Sequence, residues 1–385
     1  MPRHRLKNFS DLAFIQSIDK PRHLAPLVAA HKDFFERQKI DVTRLTNDDS
    51  CDRKLLAAFT QPAEDIPPEL LEVLYVLDDL ADEDGHDRLI HEAERQGIDL
   101  NGSGHESNPA DFALSLHRTH PELVRICHEK TLHQKIKNYE EYQSRDNRRL
   151  NLKTAKAQRA ALEAEMAPWF ESKNRSRACE VYVYEEKEEL KFQITHGRPY
   201  RTEGSINKTL QRTRVAYRPQ QHDSVVYDTR TGILKINAPT STEKNLYREA
   251  FGKILFGDLN FFPSGQLYTL APLRKGKVAI ATVDGVESVR LSEVWIQLDD
   301  SQRFLQISKA HDLIQALTQH GKPNLEEGQL VRASFMLKYS SGGRARKLEL
   351  RPPNVAIYDR DRDGEAAEEF LMVNGFLKRR HGDES

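Results

Sequence analysis

Apolar residues recur every three to four positions through the first third of the chain and tend to alternate through much of the rest, so two kinds of structure are expected in succession. In IPPELLEVLYVLDDL (66–80), Leu70, Leu71, Val73, Leu74 and Leu77 form one helical stripe, with two prolines at its start. GHDRLIHEAERQG follows and ends at Gly97, suited to a left-handed helix terminus. NPADFALSLHRTH and HPELVRICHEKTLHQKI read as two further amphipathic helices, each with a proline near its beginning. The stretch 135–170, rich in good helix formers, predicts a long exposed connecting helix.

Beyond Pro168 the period changes. CEVYVYEEKEELKFQI alternates in the manner of two strands joined through a charged turn. Three glycine-containing turns predict further hairpins: SVVYDTRTGILKI through Gly232, ATVDGVESV through Asp284 and Gly285, and VRASFMLKYSSGGRARKLELR through Gly342 and Gly343. Helices interrupt them. STEKNLYREAFGKILF places Leu246, Ala250, Phe251, Ile254 and Leu255 on one face, and SKAHDLIQALTQHG runs from a Ser308 cap to Gly321. A last helix is expected from an Asp363 cap to Gly375, and Leu259 with Phe256, Phe261 and Phe262 is expected in the core beneath the hairpins. Irregular alternation of strands and helices predicts an α+β fold: a helical domain over 1–134, the connecting helix over 135–170, an α+β domain of antiparallel hairpins over 171–378, and a polar tail over 379–385.

Composition narrows the function classes. The chain has 385 residues, 38% hydrophobic and 30% charged, enough for two or three folded domains with charged surfaces. Lys plus Arg total 58 against 59 Asp plus Glu, which argues against a polyanion-coating protein and leaves local patches as the question. From Glu64 to Asp111 there are fifteen acids against Arg88 and Arg95, whereas Lys135 to Arg159 holds eight Lys or Arg against three acids. Cys51, Cys127 and Cys179 are far apart and odd in number, as expected of packed thiols in a cytoplasmic protein. No apolar run is long enough to span a membrane, and no membrane partner is expected.

Several strings carry candidate chemistry. Asp359, Asp361, Asp363 and Gly364 open like a calcium loop, but the twelfth position is Phe370, Glu369 comes one residue early, and Arg360 and Arg362 offset the charge. The reading is therefore a polar turn feeding a helix. His117, His120, His128 and His133 surround Cys127 with residue types a zinc site uses but without a zinc spacing. Glu189 and Lys191 form an E-x-K on a predicted strand, which with Glu180, Asp223 or Asp228 could hold Mg²⁺ in a nuclease. No phosphate-cradling glycine loop, nucleophile elbow or kinase signature occurs, and no cofactor is expected.

The richest signal is HGRPYRTEGSINKTLQRTRVAYRP. Arg198, Arg201, Lys208, Arg212, Arg214 and Arg218 stand against the single acid Glu203, interleaved with Tyr200 and Tyr217. Cations neutralise phosphates and tyrosine rings stack on bases, so this pattern suits DNA or RNA. Arg148, Arg149 and Lys153 on the connecting helix would extend it into one basic face. The expectation is a non-enzymatic nucleic-acid-associated or adaptor protein, its helical part contacting a protein partner. A Mg²⁺-dependent nuclease and a structural subunit are the alternatives.

Overall fold

The structure, a computed structural model, describes residues 6–62, 65–100, 108–134, 136–146, 148–206, 211–274, 280–320, 325 and 327–378, without the side chains of 132–134 and 361. Its α-carbons cluster into two units, 1–135 with 206–212, and 136–205 with 213–385.

In the first unit the helical periodicity produces α1 (Leu12–Ser17), α2 (Ala25–Ala30), α3 (Lys32–Arg37), α4 (Asp49–Thr60), α5 (Pro68–Leu80), α6 (Glu83–Gln96), α7 (Pro109–Thr119) and α8 (Pro121–Gln134). Leu70, Leu74 and Leu77 of the predicted stripe are fully buried, joined by Leu89, Phe112, Leu116 and Val124 from the neighbouring helices. Each such side chain contributes about 1.5–3 kcal/mol of burial. Asp48, Asp82 and Asn108 cap α4, α6 and α7 through side-chain acceptance of backbone N–H groups, and Gly97 ends α6 at φ 67°.

The second unit is built on a ten-stranded antiparallel sheet in the order β2-β3-β6-β7-β1-β12-β11-β10-β8-β9. Its strands are β1 (Asn138–Gln143), β2 (Cys179–Glu186), β3 (Glu189–Gly197), β6 (Gln220–Asp228), β7 (Ile233–Asn237), β8 (Val286–Asp299), β9 (Phe304–Lys309), β10 (Gln329–Tyr339), β11 (Arg346–Arg351) and β12 (Val355–Ile357). A separate two-stranded sheet, β4 (Arg201–Ile206) with β5 (Arg212–Tyr217), is inserted between β3 and β6. The helices are α9 (Leu152–Ala157), α10 (Arg159–Ser172), α11 (Ser241–Phe256), α12 (Leu313–His320) and α13 (Arg360–Val373).

The sheet has two halves with cores on opposite faces. Tyr142 of β1 joins Leu234, Ile236, Phe192 and Val225 under α10 and α11. Ala356 of β12 joins Phe335, Leu350, Phe370 and Leu371 under α13. Ala356 lies opposite Tyr139, three residues before Tyr142 and therefore on the other face of β1.

Five expectations are corrected. The segment 135–170 is not one exposed helix: β1 occupies its start, and α9 and α10 bury Ala155, Leu162, Met166 and Phe170. The glutamates of NYEEYQ obscure this strand, yet each is paired, Glu140 with Lys244 at 2.8 Å and Glu141 with Arg360. Ser308 lies in β9, and α12 starts at Leu313 behind Asp312, whose carboxylate accepts from the Gln315 N–H, because Ser308 pairs with Val294 in the sheet. Asp284 and Gly285 turn into β8, with no strand over 280–285 to complete a hairpin. Asp359 rather than Asp363 caps α13, since Asp363 is drawn to Arg346 at 2.5 Å. The phenylalanines near 256–262 are core as expected, but Leu259 is exposed in the loop.

Candidate nucleic-acid interface

The β4–β5 ribbon, a sheet separate from the main one, carries the basic segment with almost every residue exposed. Tyr200 is 65% exposed, Ile206 69% and Val215 48%. Tyr217 donates to Glu203, which raises the tyrosine hydroxyl above its ordinary range. Strand alternation then sets Arg201 with Tyr217 on one face and Arg212 with Arg214 on the other. Among the described residues Arg212 and Arg214 have no ion pair or side-chain hydrogen bond. Lys208 lies outside the described residues.

An isolated two-stranded ribbon is marginal in water, so its root matters. Arg198 donates to Gln221 Oε1 at 2.6 Å, tying the segment between β3 and β4 to the start of β6. Gln221 in turn donates to Asp223 at 2.7 Å. Asp223 also takes the Tyr247 hydroxyl of α11 at 2.6 Å and faces His196 Nε2 at 3.0 Å. The imidazole stacks on Phe170 of α10 at 4.0 Å, and its Nδ1 faces the Gly197 carbonyl at 3.1 Å. Burial and the Asp223 charge push the Tyr247 hydroxyl well above its ordinary value. On the outer side, Arg218 donates to the Asn174 carbonyl at 2.7 Å and lies 4.2 Å over the Tyr200 ring. Gly197 passes so close to Ser176 that an added Cβ would sit 2.7 Å from the serine Cβ.

His196, Asp223 and Glu243 form the one cluster of metal-ligating types among the described residues. Its donors are already used: Glu243 takes Arg175 at 2.5 Å and the Thr240 N–H at 3.0 Å, and Asp223 has the three partners above. The cluster is a framework for the ribbon root, with saturated ligands.

The other sequence candidates disperse. Arg148 packs over Phe261 at 4.6 Å, pairs with Asp146 at 2.9 Å and accepts the Tyr227 hydroxyl on its carbonyl. Tyr227 is at the far end of β6 from the ribbon, roughly 23 Å along the strand from Gln220. Arg149 and Lys153 are exposed in the neighbouring loop and on α9, so this basic group is not continuous with the ribbon. Glu189 is held by Lys235 at 2.7 Å while Lys191 turns to Glu186 at 2.7 Å. Burial would raise the Glu189 carboxyl, but Lys235 and Lys191 outweigh it and hold it below its ordinary value. Asp228 caps its own turn, accepting from Arg230 and Thr231 N–H groups, Asp223 lies on the opposite face, and Glu180 sits opposite Thr195 near the other end of β3, so the four acids do not converge.

Asp359 and Asp363 serve as a helix cap and an arginine partner; the Asp361 side chain lies outside the described residues. The histidines also separate. His117 is half-buried on α7 and pushed down by burial, His120 bonds Thr119, and His128 approaches Asp79 at 3.3 Å; His133 lies outside the described side chains. Burial pushes the thiols of Cys127 and Cys179 up to about 12, keeping both protonated. In the first unit a groove of about 470 Å³ has a mixed lining, with Leu6, Leu56 and Phe59 beside Ser10, Thr60 and Gln61.

The root network escaped sequence reasoning because its members lie 24 to 27 residues apart with no motif between them. No helix among the described residues is long and apolar enough to cross a membrane. No protein family matches the chain, and no curated protein matches it either.

Proposed function

We propose that this protein binds nucleic acid without cleaving it, through the β4–β5 ribbon. The observation that carries the reading is a two-stranded ribbon exposed on both faces whose Arg212 and Arg214 have no protein partner among the described residues. Unpaired guanidinium groups on a narrow ribbon suit phosphates lining a groove, and a two-stranded ribbon fits the major groove of B-DNA. The root, by contrast, is held: Arg198 and Arg218 are committed to Gln221 and Asn174, so they position the ribbon and leave its tip-ward arginines to the ligand. Glu189 held between two lysines favours an ion-pair role over metal binding, which weighs against the nuclease alternative.

The test is fluorescence anisotropy with labelled duplex and single-stranded DNA and RNA at low salt, comparing the native protein with Arg212→Glu/Arg214→Glu. Affinity is expected to fall about tenfold or more. The thermal midpoint should hold, since both side chains are exposed. Equal affinity in the two proteins would remove the ribbon from the interface, and absence of binding by the native protein would remove the function.

A further inference from the structure

The second half-sheet presents another charged surface, on the face opposite α13. Register places Arg332 beside Trp295 and Trp295 beside Ile307, while Ser334 lies between Glu349 and Glu293, and Glu293 opposite Lys309. Glu349, only 3% exposed, draws Arg332 at 2.5 Å, Lys347 at 2.6 Å and Arg351 at 2.5 Å. Glu293 takes Lys309 at 3.6 Å and the Trp295 indole N–H at 2.5 Å. Among these residues four cations stand against two carboxylates, an excess of two positive charges. The carboxylates are buried while the side chains of Lys347, Arg351 and Lys309 are 44%, 44% and 75% exposed. Arg332 lies 4.6 Å over the partly exposed Trp295 ring, and Ile307 beside it is 52% exposed.

We infer that this face binds single-stranded nucleic acid, with Trp295 stacking on a base and Lys309, Lys347 and Arg351 taking the flanking phosphates. The buried glutamates fix the cations in place before the ligand arrives, so less side-chain freedom is lost on binding. A flat aromatic and cationic sheet surface matches unstacked bases, which a duplex keeps inside its stack. The inference rests on the nucleic-acid reading of the ribbon but uses none of its residues.

The chain has two tryptophans, so Trp169→Phe leaves Trp295 as the only one. Titrating that protein with an oligothymidylate of about twenty nucleotides should quench its emission as bases stack. Lys347→Gln/Arg351→Gln in the same background should weaken the quenching isotherm about tenfold, with Arg332 still pairing Glu349. Binding seen by anisotropy with unchanged Trp295 emission would overturn the inference, as would equal quenching by a duplex of the same length. If Arg212→Glu/Arg214→Glu changes nothing while the quenching persists, the ribbon reading falls and the sheet face stands; loss of duplex binding only in the ribbon variant, without Trp295 quenching by the single strand, gives the reverse.

Discussion

At the scale of single residues, the sequence marks which side chains are charged and leaves open which opposite charge each one finds. Glu189 and Lys191 are two positions apart on one face of β3, yet the shorter contact of each is elsewhere. Glu92 shows how much such a choice can matter. It is 2% exposed on α6 and receives Arg95 at 2.6 Å, Gln96 at 2.7 Å and Lys130 of α8. Burial would raise its carboxyl, but these partners outweigh it and hold it at about 2, against an ordinary 4.5. A carboxyl depressed in the folded state stabilises fully above its unfolded value and progressively less as pH falls through the folded one. The stabilisation is therefore present at neutral pH, on the order of 3 kcal/mol, and disappears between about pH 4.5 and 2. Urea unfolding across this window should show Glu92→Gln well below the native protein at neutral pH and the two converging near pH 2; parallel curves would mean that Glu92 is not held in its charged form.

At the scale of elements, legibility followed how closely local pattern agreed with final environment. The hairpins β2–β3, β6–β7 and β10–β11 were readable because alternation and a turn signal point the same way. Strand β1 was not, because its Glu140 and Glu141 look solvent-facing until Lys244 and Arg360 arrive from more than a hundred residues away. Glycine at 285 signals a turn but not whether a strand precedes it. Arg360, the first residue of α13, joins that helix to the middle of the sheet: it pairs with Glu141, donates to the Lys137 carbonyl at 2.8 Å, and lies 4.2 Å over Tyr358. Burial opposes its charge, but Tyr358 and Glu141 override it and raise the guanidinium further. Arg360→Met leaves the buried Glu141 carboxylate with the Tyr268 hydroxyl at 2.6 Å as its one side-chain hydrogen-bond partner among the described residues, and should cost about 3 to 5 kcal/mol in chemical denaturation. Adding Glu141→Gln should restore part of that loss; a double variant no more stable than the single one would locate the cost in packing around the guanidinium instead.

For the molecule as a whole, a net charge of -1 hides an arrangement that composition does not report. The fold class was legible, since helical periodicity gives way to alternation, but nothing local says that the two half-sheets bury opposite faces. That arrangement follows from strand order, with β1 and β12 adjacent although they are more than two hundred residues apart. It also separates basic groups that look continuous in sequence. With Arg148 at the far end of β6, the group Arg148, Arg149 and Lys153 stands apart from Arg201, Arg212 and Arg214, so a short nucleic acid seated on the ribbon should not feel it. Salt dependence measures this directly, because each phosphate contact adds about 0.9 to the slope of log affinity against log salt on duplex DNA. Arg212→Gln/Arg214→Gln should lower the magnitude of the slope by about 2 on a short duplex. Arg149→Gln/Lys153→Gln should leave it unchanged, because both side chains lie outside the seated duplex. An equal drop for both pairs would mean that the ligand follows a longer path across the unit than the ribbon alone provides, and would return the distant cations to the interface.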